Sequence, residues 1–225
     1  MRKQILACLL TAFGFGWGAS AASGQETVKI GLIVPLTGGQ ASTGKQLDNA
    51  VKLYMRHHGD IVAGKKIEVI VRDDGAIPDN TKRIAQELIV NDKVQIIAGF
   101  GITPAALAAA PLATQAKIPQ IVMLAGASIV TERSPYIVRT SFTLAQSAVI
   151  IGDWAAKNGI RKVATLTSDY APGNDALQFF KARFTAAGGE IVEEVNVATF
   201  LMPFFGAQSP MMTADCASVK LVRTI

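Results

Sequence analysis

The sequence has 225 residues, 50% of them hydrophobic, a formal net charge of +5 and two cysteines. Two of the positive charges, Arg2 and Lys3, lie in a leader-like N-terminus. The remaining excess is too mild to argue for nucleic acid, and no basic run carries interleaved aromatics.

Residues 1–23 have a basic start, an apolar run from Ile5 to Phe15 and a close of small residues from Gly18 to Ala22. This is the order of a secretory signal peptide, with cleavage expected after Ala21 or within two residues of it. The apolar run is shorter than the roughly 20 residues that a membrane span needs. Cys8 lies inside that run and is followed by Leu9 and Leu10, which argues against lipid attachment. Removing the leader takes Cys8 with it and leaves Cys216 alone, so the mature chain has no intramolecular disulfide and depends on its core. A mature chain of roughly 200 residues is long enough to bury one.

The pattern after the leader alternates strands and helices. Residues 28–35 read as a buried strand and 44–58 as a helix, with Leu47, Ala50, Val51, Tyr54 and Met55 on one face. A strand at 66–71 ends at Asp73-Asp74-Gly75, and a helix at 78–91 starts at Pro78 or Asp79 and presents Ile84, Leu88 and Ile89. A strand is expected at 94–98, and an Ala-rich helix at 103–115 with Pro104 at a tolerated early position. Then come a strand at 119–124, a short helical turn at 128–133 and a brief strand at 136–139. The pattern restarts with a helix at 144–158, a strand at 162–167, a helix at 173–187 and a strand at 190–197. Such alternation predicts βαβ units and a mostly parallel sheet with helices on both faces.

The restart after the polar link Thr140-Ser141-Phe142-Thr143 divides the chain into a first lobe at 26–140 and a partial second lobe at 141–197. The fold class expected is therefore α/β, two Rossmann-like lobes with the second incomplete. Residues 198–225 have no clear period and cluster Phe200-Leu201-Met202 and Phe204-Phe205, so they are expected to be an aberrant, non-native tail.

Candidate chemistry gathers where strands hand over to helices. Gly39 to Lys45 fits G-x-x-x-x-G-K, but Gln46 stands where a phosphate-binding loop needs a hydroxyl for magnesium. The same geometry without a metal suits a carboxylate, held by backbone N–H groups at a helix start near Gly44 with Thr37, Ser42 and Thr43 adding hydroxyls. Gly99-Phe100-Gly101 lacks the third glycine and the acidic residue of a dinucleotide site. Thr103 serves either as a helix cap worth about 1 kcal/mol or as a ligand donor. Ser128, after the small residues Ala125 to Ala127, serves either as a turn cap or as a second donor. Tyr170 offers an aromatic face, and Asp169 is placed to cap the following helix. No catalytic set and no metal set emerges: His57 and His58 read as solvated, and Asp73-Asp74 have no neighbouring ligands in sequence.

The ordered set VKIGLIVPLTG, GxxxxGxQLxNAVKLY, IEVIVRDDG, GFGITPAALA, IPQIVMLAGAS, SPYIVRTSFT and TSDYAPGNDALQFFKARFTAAGGEIV resembles the leucine/branched-chain amino-acid type of periplasmic substrate-binding proteins of ABC importers. The likeness runs from about Glu26 to Val197. It implies a type I periplasmic binding protein fold, two lobes closing on a small carboxylate-bearing ligand (amino acid, amide or aromatic acid), and delivery to a membrane permease from the periplasm. By motif position it implies ligand contacts at Thr43, Thr103, Ala127, Ser128 and Tyr170. It implies no enzyme activity, cofactor, metal or nucleic-acid partner. The likeness also makes the chain look truncated, without the segments that return to the first lobe. The alternatives are a Rossmann-like enzyme and a sensory ligand-binding domain of the same fold.

Overall fold

The computed structural model describes residues 25–197; the leader and the tail expected above lie outside the described residues. A six-stranded sheet has the order β2-β3-β1-β4-β5-β6, formed by β1 (Thr27–Val34), β2 (Ile61–Val62), β3 (Lys65–Asp73), β4 (Ile96–Gly99), β5 (Gln120–Val122) and β6 (Ile137–Arg139). All pairings are parallel except β2 with β3, which closes one edge. The strand at β2 was not foreseen: two exposed residues carry no periodic signal. Central β1 places Ile30 between Val69 of β3 and Ile96 of β4.

Alternate residues of β1 feed two different cores, as the two-residue period of a strand requires. Ile33 packs with Ile97, Ile84 and Leu88 beneath α2 (Pro78–Val90) and α3 (Thr103–Ala116). Leu32 and Val34 pack on the other face with Leu47 and Val51 of α1 (Ala41–His58). Coverage of both faces explains why β1 reads as an apolar run, unbroken from Ile30 to Val34. Alanines 105, 106, 109, 110 and 113 are buried in α3, and their small side chains let that helix lie close to the sheet. Between helix and sheet, the fully buried Gln120 donates from Nε2 to the Ala106 carbonyl at 2.8 Å.

Three details of α1 differ from expectation, the first being that Ala50, expected on the apolar face, is exposed. The helix starts at Ala41, not near Gly44, and Gly44 is buried inside it. A Cβ there would sit 1.9 Å from the Pro35 carbonyl oxygen, so this glycine sets how closely the helix crosses the end of β1. Tyr54 is 65% exposed, outside the core face. It stacks on His58 instead, with ring centroids 4.3 Å apart.

A second, parallel two-stranded sheet pairs β7 (Lys162–Ser168) with β8 (Glu190–Val197). It packs with α4 (Leu144–Lys157) and α5 (Ala171–Ala186) around Leu144, Ala148, Val163, Phe180 and Phe184. The Phe180 and Phe184 rings stack at 5.3 Å. Arg183 of α5 grips Asp153 of α4 with both its Nε and, at 3.2 Å, an Nη. The handover from β7 to α5 repeats the close approach seen at Gly44: a Cβ on Gly173 would meet the Ser168 carbonyl oxygen at 2.0 Å. Tyr170, rather than Asp169, occupies the N-cap of α5 and caps it without a side-chain bond. α4 begins with a full capping box, in which Thr143 Oγ1 accepts from Gln146 N–H at 3.2 Å and Gln146 Oε1 accepts from Thr143 N–H at 2.9 Å.

Candidate functional site

The strand order makes a switch point. From β1 the chain crosses to β3 on one side, and from β4 it crosses to β5 on the other. In open α/β sheets a crevice opens beyond the strand C-termini at such a point. The loops that follow β1, β4 and β5 meet there.

The loop after β4 is fixed by its backbone. Gly99 has φ +113° and Phe100 has φ +68°, and the Phe100 side chain is fully buried. A left-handed phenylalanine is strained, and it persists because its surroundings hold it. Its N–H donates to the Ile33 carbonyl at 2.9 Å and its carbonyl accepts from Ala125 N–H at 3.1 Å. These ties bring the loop after β5 alongside the start of α3. Thr103, only 1% exposed, then accepts from Ala127 N–H through Oγ1 at 3.3 Å. Thr103 is thus the first residue of α3 and not its N-cap; that position belongs to Ile102. Because the Thr103 oxygen accepts from Ala127, its single O–H is left to donate.

Ser128 comes next in the same loop and opens a short 3-10 turn, Ser128–Glu132. Its N–H donates to one carboxylate oxygen of Asp175 at 3.0 Å and its hydroxyl donates to the other. Asp175 belongs to α5, so this contact joins the second sheet's layer to the first. Arg139, at the end of β6, donates from Nη to the Ala127 carbonyl. Burial lowers the Arg139 pKa below its ordinary value, and the negative charge of Asp175 opposes that shift. Arg139 Nε and Ser141 Oγ are buried without a hydrogen-bond partner among the described residues. The chemistry assembled here is a set of N–H and O–H donors under a guanidinium, suited to holding an oxyanion.

The five residues expected at the site divide. Thr103, Ala127 and Ser128 are brought together. Thr43 lies in the first turn of α1, where its hydroxyl donates to Gln40 Oε1 at 3.5 Å, a bond within its own helix end. Tyr170 stands at the N-terminus of the helix that carries Asp175, and its carbonyl accepts from Asn174 N–H at 3.1 Å. Thr37 is committed elsewhere: its hydroxyl donates to Asp73 at 2.7 Å, and Asp73 also accepts from the N–H groups of Leu36 at 2.7 Å and Gly75 at 2.9 Å. Burial raises the Asp73 pKa, but these bonds together outweigh it and hold the carboxyl below its ordinary value. Asp73 is therefore a clasp for the loop after β1. Neighbouring Asp74 is likewise occupied, accepting from the Thr81 hydroxyl at 2.6 Å and from Ala76 N–H.

Sequence reasoning missed Asp175 and Arg139 as site residues. Asp175 is the one acidic residue of α5, and Arg139 ends an apolar strand at the same sheet edge as the other cleft residues. Either oddity was a usable signal. Among the described residues, no cluster of His, Cys, Asp and Glu has the makings of a metal site, and no helix is long and apolar enough to cross a membrane.

The family model described as periplasmic binding protein matches residues 27–200. The chain belongs to the periplasmic binding protein family. One relative of this periplasmic binding protein is Leu/Ile/Val-binding protein homolog 6 of Brucella abortus (strain 2308), 41% identical over 196 residues, which are 87% of this chain and 50% of the relative. Two similar crystal structures are solute-binding proteins of ABC transporters from Rhodopseudomonas palustris. The one from strain BisB5, in complex with 3,4-dihydroxybenzoic acid, is 83% identical with a TM-score of 0.75, covering 76% of this chain and 47% of its own. The other, in complex with 4-hydroxybenzoate, is 44% identical with a TM-score of 0.75, covering 77% of this chain and 47% of its own. The chain thus spans about half the length of the relatives it matches. The α/β architecture with a mostly parallel sheet flanked by helices is that of the type I fold of this family.

Proposed function

We propose that the periplasmic binding protein described here supplies the carboxylate-holding half of a cleft for a small aromatic acid of the hydroxybenzoate class, captured outside the cytoplasm for an ABC importer and its membrane permease. The observation that carries this reading is the donor set of Thr103 and Ser128. Thr103 is anchored on Ala127, and Ser128 already holds a carboxylate through both its N–H and its hydroxyl. An arrangement that binds Asp175 in this way is chemically ready for a ligand carboxylate. The aromatic preference is supported by the relatives that bind 3,4-dihydroxybenzoic acid and 4-hydroxybenzoate. The branched-chain amino acids are the second reading, favoured by the naming of the Brucella relative.

In this reading the lobes meet near Thr140, Tyr170 forms an aromatic wall from the second lobe, and Thr43 borders the pocket from the loop after β1. The leader at 1–23 exports the chain. The function is binding and delivery, without catalysis or a cofactor. A thermal-shift panel of benzoate, its 4-hydroxy and 3,4-dihydroxy derivatives, leucine, isoleucine and valine tests the ligand class. A micromolar ligand at millimolar concentration stabilises by about 4 kcal/mol, a rise in melting temperature on the order of 10 °C for a chain of this size. A shift with the aromatic acids alone supports the proposal; a shift with the aliphatic amino acids alone replaces it with the second reading.

A further inference from the structure

We propose that Asp175 is a resident competitor for the ligand's carboxylate: it fills the Ser128 seat in the empty protein, and a ligand must displace it. This inference rests on the function proposed above. Its basis is geometric. Both oxygens of Asp175 are engaged by one residue, the N–H of Ser128 at 3.0 Å and the Ser128 hydroxyl. The two residues are 47 positions apart and come from different sheet layers, so no local turn accounts for the contact. A carboxylate bound through both oxygens by a backbone N–H and a hydroxyl is the arrangement a benzoate anion would adopt on the same donors. The two anions cannot share them.

The charges around the seat act in the same direction. Arg139 is partly buried, points an Nη at the Ala127 carbonyl and lies close enough to Asp175 for their charges to interact. Its Nε has no hydrogen-bond partner among the described residues. A desolvated guanidinium with unused donor capacity leaves an unfavourable charge when nothing negative lies nearby. Asp175 supplies that negative charge while the cleft is empty. It also holds α5 against the loop after β5, because the bond to Ser128 bridges the layers. When ligand arrives, its carboxylate takes over the donors and Asp175 swings clear. The apparent affinity is then the intrinsic affinity multiplied by the fraction of open seats, that is, divided by one plus the ratio of blocked to open seats. Asp175 is thus an affinity-determining residue whose removal improves binding of carboxylates.

Two measurements on the full chain test this. The first needs no ligand: melting temperatures of the wild type, Ser128→Ala, Asp175→Ala and the double variant. If the pair is coupled, Ser128→Ala lowers the melting temperature of the wild type but has less than half that effect once Asp175 is gone. Equal effects in both backgrounds overturn the seat contact, whatever the ligand proves to be. The second is calorimetric titration with 3,4-dihydroxybenzoate and with catechol, which lacks the group that would take the seat. Asp175→Ala is expected to lower the dissociation constant of the acid by roughly tenfold and to leave that of catechol within about twofold. An unchanged or weaker dissociation constant for the acid overturns the competition. Coupling in the melts with no binding of the acid to any of the four proteins removes the competition together with the aromatic-acid reading, while the contact itself stands.

Discussion

Replacing Thr103 by valine isolates one atom of the cleft. Valine keeps the shape of threonine, so no cavity forms, but Ala127 N–H loses the acceptor it holds at 3.3 Å. Both residues are buried, Thr103 at 1% and Ala127 at 0% exposure, so water does not readily replace the hydroxyl. An unsatisfied buried donor costs about 1–3 kcal/mol. The bond is long, which places this case toward the lower end, about 1–2 kcal/mol. For a chain of this size that is a fall in melting temperature of about 2–8 °C. Differential scanning calorimetry reads the fall, and hydrogen exchange at the Ala127 amide reads its origin. The amide should exchange faster in Thr103→Val and keep near wild-type protection in Thr103→Ser, where the oxygen remains. A valine variant that melts within about 1 °C of the wild type with unchanged Ala127 exchange would show that Thr103 does not anchor this loop.

Gly44→Ala places a methyl 1.9 Å from the Pro35 carbonyl and Gly173→Ala places one 2.0 Å from the Ser168 carbonyl. Each should destabilise by about 3 kcal/mol, read as a lower urea midpoint; tolerance of either alanine would mean that helix and strand separate easily there. Asp73, whose folded pKa lies below its ordinary value of 3.8, contributes stability that is fully present above that value and is lost as pH falls through the lower folded one. Acid unfolding of wild type and Asp73→Asn should therefore converge below pH 3.8 and diverge above it; a constant difference at all pH values would assign the effect elsewhere. Arg139→Met removes the charge beside the seat and should weaken carboxylate binding about tenfold, the equivalent of roughly 1.4 kcal/mol, in titrations with 3,4-dihydroxybenzoate.

Most of the architecture was legible because its signal is local and periodic. β1 buried on both faces reads as a run of apolar residues, and α2 shows Ile84 and Leu88 at helical spacing. The errors arise where a residue's partner is distant. Gly44 looks like a helix start in sequence but is a helix interior pressed on Pro35. Thr103 reads as a cap or a ligand donor; it is not the cap, and its hydroxyl oxygen serves an amide 24 residues away. Tyr54 falls on the apolar side of α1 by spacing but is exposed, while the charged Asp48 of the same helix is buried. The loop hydroxyl of Thr37 faces Asp73 and not the cleft, a pairing across 36 residues that nothing local announces. The Ser128–Asp175 contact spans 47 residues and two sheets, and Arg139 reaches it from a third strand end. Sequence periodicity shows which face of an element is buried; it does not show which two loops will meet.

The proposed carboxylate cleft at Thr103 and Ser128 is tested most directly by calorimetric titration of the full chain with 3,4-dihydroxybenzoate, beside the Thr103→Val and Ser128→Ala variants. Saturable binding to the wild type that weakens by about tenfold or more in each variant is the expected result. Binding of equal strength in all three proteins, or none to a well-folded wild type, would contradict it.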